Sequence, residues 1–163
     1  MRPRVYIETT IPSTYYEQRT DPQTVARHLW TRRWWDDRRC LYDVVASVAV
    51  LEELERGDFP ARDSCLSLLS DVPLLPTESG IGTVVQTYTD HHLMPANPAG
   101  DALHLALASH HKCDFLLTWN CKHLANANKL GHIRAVTVML GLFVPSLMTP
   151  LELLGDSDDA TTN

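Results

Sequence analysis

The chain lacks any apolar run approaching the roughly 18 residues that a membrane-crossing helix requires, so no membrane span is expected. Its four cysteines, Cys40, Cys65, Cys113 and Cys121, include no pair at the close spacing of a zinc site, and no secretory leader is expected ahead of them. Cys65 and Cys113 fall in apolar-periodic segments, so reduced, core-packed thiols in a cytoplasmic protein are expected. Positive charge is also in short supply: 14 Lys and Arg stand against 20 Asp and Glu, a net charge of −6, which argues against simple bulk attraction to nucleic acid. Internal repeats are missing, as is any linker long enough to separate a second domain. At 163 residues, one domain can bury about 70% of its unfolded surface, so its core needs neither disulfide nor metal.

What charge there is lies unevenly. Residues 27–39 hold five arginines against Asp36 and Asp37, a local +3, which leaves −9 for the rest. Arg32, Arg33, Arg38 and Arg39 therefore form the strip on which a phosphate backbone would lie. Trp30, Trp34 and Trp35 among them invite base stacking. At helical spacing, Trp30 and Trp34 more simply pack against the core or a partner subunit.

The pattern alternates strands and helices. Residues 4–8 read as a buried strand, and Ile11-Pro12-Ser13 turns the chain. Asp21-Pro22 starts a helix to about residue 37 with Val25, Leu29, Trp30 and Trp34 on one face. Residues 41–46 form a second strand, after which Ser47 caps a helix that Gly57 ends. Residues 60–70 are helical by spacing. The prolines confine the extended piece 72–76 to a sheet edge, and Thr77 with Ser79 opens a helix to about Leu93. After a loop at 94–98 come the helix carrying Asp101, a strand at 114–118 and a helix over about 122–130. A short strand near 134–138 or 143–144 and a helical turn at Pro150 follow. Residues 1–154 thus make one domain, and the apolar-poor tail 155–163 is expected to be disordered. Strands separated by helices predict an α/β fold of three layers, α/β/α, around a mostly parallel sheet.

The informative residues sit where such a sheet binds ligands. Glu8 follows the first strand and Asn120 follows the strand at 114–118, positions at the carboxyl ends where open α/β sheets have their crevices. Asp101 stands in the first turn of its helix, where the helix dipole favours a carboxylate. Convergence of these groups is the arrangement a divalent metal needs. Asn120 also reads as the cap of the following helix.

Four ordered stretches resemble the motifs of the PIN domain family: Tyr6-Ile7-Glu8-Thr9-Thr10, Ser47 with Glu53-Leu54 and Gly57, Gly100-Asp101-Ala102-Leu103-His104-Leu105-Ala106, and Leu116-Leu117-Thr118-Trp119-Asn120-Cys121-Lys122-His123-Leu124. The resemblance spans residues 4–140. It implies a metal-dependent ribonuclease, including toxins of the VapBC toxin–antitoxin type. Glu53 and Asp101 match family acids, whereas Glu8 and Asn120 stand where the family has Asp, and Lys122 where it sometimes has a fifth acid.

On that resemblance Glu8, Glu53, Asp101 and Asn120 are the catalytic set, with Glu8, Glu53 and Asp101 holding Mg²⁺ or Mn²⁺. These hard ions prefer carboxylates, waters and substrate phosphates. Glu53 is preferred over Glu52 for its Glu-Leu-x-x-Gly context. Thr10 and Thr118 would fix carboxylates and waters. The implied partners are an RNA substrate, a protein antitoxin and a second copy in a homodimer. His104, three residues after Asp101, either lines the site or packs. His91-His92 and His110-His111, near helix ends, are expected to lie exposed or to interact with the helix dipole rather than to bind metal. A non-catalytic PIN-like binding module is the competing class. A haloacid-dehalogenase-like phosphatase fails, because Glu8-Thr9-Thr10 lacks its two aspartates.

Overall fold

The computed structural model describes residues 1–93 and 100–155. The breaker-rich loop expected at 94–98 and nearly all of the tail expected to be disordered lie outside these residues.

The chain runs β1 (Arg4–Ile7), α1 (Thr10–Tyr15), α2 (Pro22–Arg33), β2 (Asp43–Ser47), α3 (Val48–Arg56), α4 (Arg62–Leu68), β3 (Leu74–Leu75), α5 (Ile81–Asp90), α6 (Gly100–His110), β4 (Phe115–Leu117), α7 (Ala127–Met139), β5 (Ser146–Met148) and α8 (Pro150–Leu154). Among the described residues all five strands are parallel, in the order β3-β2-β1-β4-β5, within a three-layer α/β architecture. Val5, Tyr6, Ile7, Leu116 and Leu117 are fully buried, which explains the near-continuous apolar strands of a sheet covered on both faces. β3 is an edge strand, as Pro73 and Pro76 require. The chain leaves β1 towards β2 and β3, then returns to β4 on the other side of β1. The topological switch point, and with it the crevice, therefore lies at the carboxyl ends of β1 and β4.

Four expectations are corrected. Val25 and Leu29 do not face the core; they are exposed, while Thr31, Trp34 and Trp35 are buried. A π-turn follows at Trp34–Arg38, where the Arg39 N–H donates to the Trp34 carbonyl five residues back. The wider turn shifts the helical register and turns both adjacent tryptophans inward. The helix expected at 122–130 begins at Ala127, where the Asn126 side chain accepts from the Asn128 N–H, and it continues to Met139. It thereby absorbs the β-branched run 136–138 that reads locally as a strand. The last strand is instead Ser146–Met148, paired in register with Phe115–Leu117. Finally, Ser47 occupies the N-cap position of α3, but its hydroxyl makes no capping bond.

All four cysteines are free, with Cys65 and Cys113 buried. Among the described residues no helix is long and apolar enough to cross a membrane.

Candidate active site at the carboxyl edge of the sheet

Glu8 leaves the end of β1 and is almost fully buried, at 3% exposure. Two threonines flank its carboxylate. Thr10 donates to it from its backbone N–H at 3.0 Å and from its hydroxyl, and the Thr118 hydroxyl lies beside it. Each hydroxyl in turn accepts a backbone N–H at 2.9 Å, Thr10 from Trp119 and Thr118 from Asn120. The ends of β1 and β4 are thus tied together through one carboxylate. Burial pushes the Glu8 carboxyl up to about 7, against the opposing pull of the His104 charge and the threonine bonds.

Glu53, on α3, meets a different environment. Its Oε1 lies 2.9 Å from His104 Nε2, and its other oxygen accepts from the Thr9 hydroxyl. His104 Nδ1 is 2.7 Å from the Tyr6 hydroxyl, which is 2.7 Å from Ser47 Oγ. This buried chain of hydrogen bonds is where the Ser47 hydroxyl goes instead of capping. Burial acts to raise the Glu53 carboxyl, yet the His104 bond and charge hold it below the usual carboxylate range. Burial likewise acts to lower His104, and the Glu53 bond with the charges of Glu53, Glu8 and Asp101 raises it instead. Glu52 makes none of these bonds and lies 3.8 Å from Arg56 one turn on, which is what separates the two neighbouring acids.

Asp101 stands in the first turn of α6, half-buried. Asn120 accepts from the backbone N–H groups of Lys122 and His123 with Oδ1, at 3.2 and 3.0 Å, which fixes its amide so that Nδ2 donates to Asp101 Oδ2 at 2.8 Å. Asn120 is therefore both a turn cap and the group that orients Asp101. Its carbonyl faces away from the acids, so it offers them a donor rather than a metal ligand.

Glu53 and Asp101 line one cavity of about 760 Å³, with Glu52, Arg56, Thr77, Ile81 and Gly100 also on its walls. Glu8 and Asn120 do not line it; they lie behind it. A Cβ at Gly100 would stand 2.7 Å from Glu53 Oε1, so a side chain there would displace that carboxylate.

The arginine strip does not join this edge. Arg38 and Arg39 lead into the amino end of β2, on the opposite edge of the sheet. Arg39 pairs with Asp71 at 3.0 Å and lies over the Trp35 ring, while Arg32 lies over Tyr15; Arg33 is exposed on α2. Trp30 stacks on Trp119 with ring centroids 6.1 Å apart, and so belongs to the core rather than to a stacking platform. The cation that does share the cavity with the acids, Arg56, carried no distinctive sequence signal. His104 had one: its spacing from Asp101.

No protein-family model matches the chain, and no curated protein sequence matches it. Fold and site define it as a parallel α/β protein with a carboxylate-rich crevice at the switch point.

Proposed function

We propose that the chain is a divalent-metal-dependent ribonuclease that hydrolyses phosphodiester bonds at this crevice. The observation that carries the reading is the shared cavity of Glu53 and Asp101, with Glu8 bound behind them at the same sheet edge. The donor set is oxygen-rich and contains no thiolate, which suits Mg²⁺ or Mn²⁺. The oxygens of Glu8, Glu53 and Asp101 do not all lie within 4.8 Å of one another; among the described residues that closeness belongs to another group. A single, water-rich ion fits this spacing better than a two-ion clamp. Glu53 and Asp101 would hold it, and Glu8 would reach it through water.

When bound, such an ion lowers the pKa of a water and neutralises charge growing on the phosphate. The chain's own residues do the rest. His104 and Thr9 hold Glu53 in one orientation, and the Asn120 amide does the same for Asp101. Arg56 presents a cation to a phosphate entering the cavity. The resemblance to PIN domains adds a toxin role, a protein antitoxin, a homodimer and a cytoplasmic setting to the proposal. A non-catalytic RNA-binding module is the second reading, favoured by the buried Glu8 and by the Asn120 donor facing Asp101.

Mn²⁺ titration followed by cleavage of a fluorogenic RNA oligomer tests the proposal. Cleavage should require the metal and fall by about 100-fold or more in Asp101→Ala. RNA binding without cleavage at saturating Mn²⁺ would favour the second reading.

A further inference from the structure

A different set of residues, outside the lining of the carboxylate crevice, has the make-up of a metal site. α6 ends in a tight closure: the Lys112 N–H donates to the Ser109 carbonyl at 3.2 Å and the Cys113 N–H to the Ala108 carbonyl at 2.9 Å, with Lys112 at φ 54°. Cys113 is buried beneath it, so the closure is anchored. His110 and His111 therefore leave the last turn of the helix at fixed positions, with ring centroids 5.0 Å apart and nearly perpendicular. Glu78, between β3 and α5, brings its carboxylate 2.8 Å from His110 Nε2. The His111 Nε2–H donates to the Pro76 carbonyl at 2.8 Å, which in the neutral ring leaves Nδ1 with the lone pair. A second ring nitrogen hydrogen-bonded to a backbone carbonyl is the usual way a metal-binding histidine is oriented.

One ligand atom each from Glu78, His110 and His111 lies within 4.8 Å of the other two. We propose that Glu78, His110 and His111 bind one zinc-class dication, which clips the β3–α5 connection onto the end of α6. Two imidazoles and one carboxylate, with water in the fourth position, suit Zn²⁺, Co²⁺ or Ni²⁺ and disfavour Mg²⁺, which demands oxygen. The clip has a consequence for the crevice. Thr77, next to Glu78, and Ile81, at the start of α5, are walls of the cavity that holds Glu53 and Asp101. The ion would fix that wall from the far end of α6, and it does so whether or not the crevice is a nuclease site.

The test is calorimetric titration of Zn²⁺ into the full chain with Mg²⁺ in excess to cover oxygen-only sites. Visible absorption of Co²⁺ reports four-coordinate binding. The expected result is one Zn²⁺ per chain, unchanged by Asp101→Ala, with the melting temperature raised by about 5 °C at roughly a hundredfold excess over Kd. His111→Ala and Glu78→Gln should each weaken uptake by at least about tenfold, since losing even an outer partner of a metal ligand costs that much. Both side chains are at the surface, so circular dichroism of the variants should match the parent. No uptake, uptake that neither variant weakens, or uptake lost only in Asp101→Ala would overturn the proposal.

Discussion

Glu8 and Glu53 are the same residue type at one sheet edge, yet their environments push them apart. Glu8 is buried with only hydroxyl and backbone donors on its oxygens, and its carboxyl rises to about 7; Glu53 shares a hydrogen bond with His104 and is held low. The Glu8 shift has a stability cost with a defined window. Below the unfolded value of 4.5 both states are protonated. As pH rises from there to about 7 the unfolded chain ionises first, so stability falls, and above that the loss is constant at about 3 kcal/mol. Glu8→Gln should remove this fall and be the more stable protein at pH 8 without metal; denaturant melts of both proteins across the window measure the difference. Asn120→Asp keeps the cap on Lys122 and His123 but sets a second carboxylate against Asp101 Oδ2. The apo protein should lose about 2 kcal/mol, the value of a hydrogen bond to a charged group, while Mn²⁺ binds more tightly. Calorimetry that finds metal affinity unmoved would leave Asn120 with a capping role alone.

At the scale of elements, the amino end of α6 and the face of α3 meet with no room for a side chain. Gly100→Ala would place its Cβ 2.7 Å from Glu53 Oε1, and that oxygen can retreat only by leaving His104. Alanine gains up to about 1 kcal/mol in helix propensity, against about 1.5–3 kcal/mol for the lost charged hydrogen bond. The expected outcome is a stability loss of about 1 kcal/mol with a much larger loss of metal-dependent cleavage, read from melts and RNA assays on one preparation. The π-turn after α2 shows the same dependence on neighbours. It places Trp34 and Trp35 together in the core, at the cost of leaving the buried Trp34 Nε1 without a hydrogen-bond partner.

For the whole molecule, the parallel sheet separates two charged regions. The acids and Arg56 lie at the carboxyl edge, while Arg38 and Arg39 lie at the amino edge. If RNA enters the carboxylate cavity, Arg56→Ala should weaken binding of a single-stranded oligomer and flatten its salt dependence by about 0.7 in log–log slope, one phosphate contact's worth. Arg38→Ala should change neither. Fluorescence anisotropy over a range of salt concentrations makes the comparison, and an equal effect of both substitutions would move the RNA path onto the arginine strip.

The sequence by itself determined the parallel α/β class, the strands around 4–8, 41–46 and 114–118, and the placing of Glu8, Asp101 and Asn120 at strand ends and a helix start. Those features depend on alternation, apolar runs, caps and breakers, all local in the chain. It did not determine that residues 136–138 are helical, because their β-branched side chains favour a strand until the 146–148 segment takes the place beside β4. Nor did it determine that Trp34 and Trp35 both turn inward, since one wide turn resets the register from that point on. The bonds that distinguish the acids from one another also belong to the tertiary structure alone. Thr9 to Glu53 spans 44 residues, Tyr6 to His104 spans 98 and Thr10 to Trp119 spans 109, and separations of that size leave no periodic trace in a sequence.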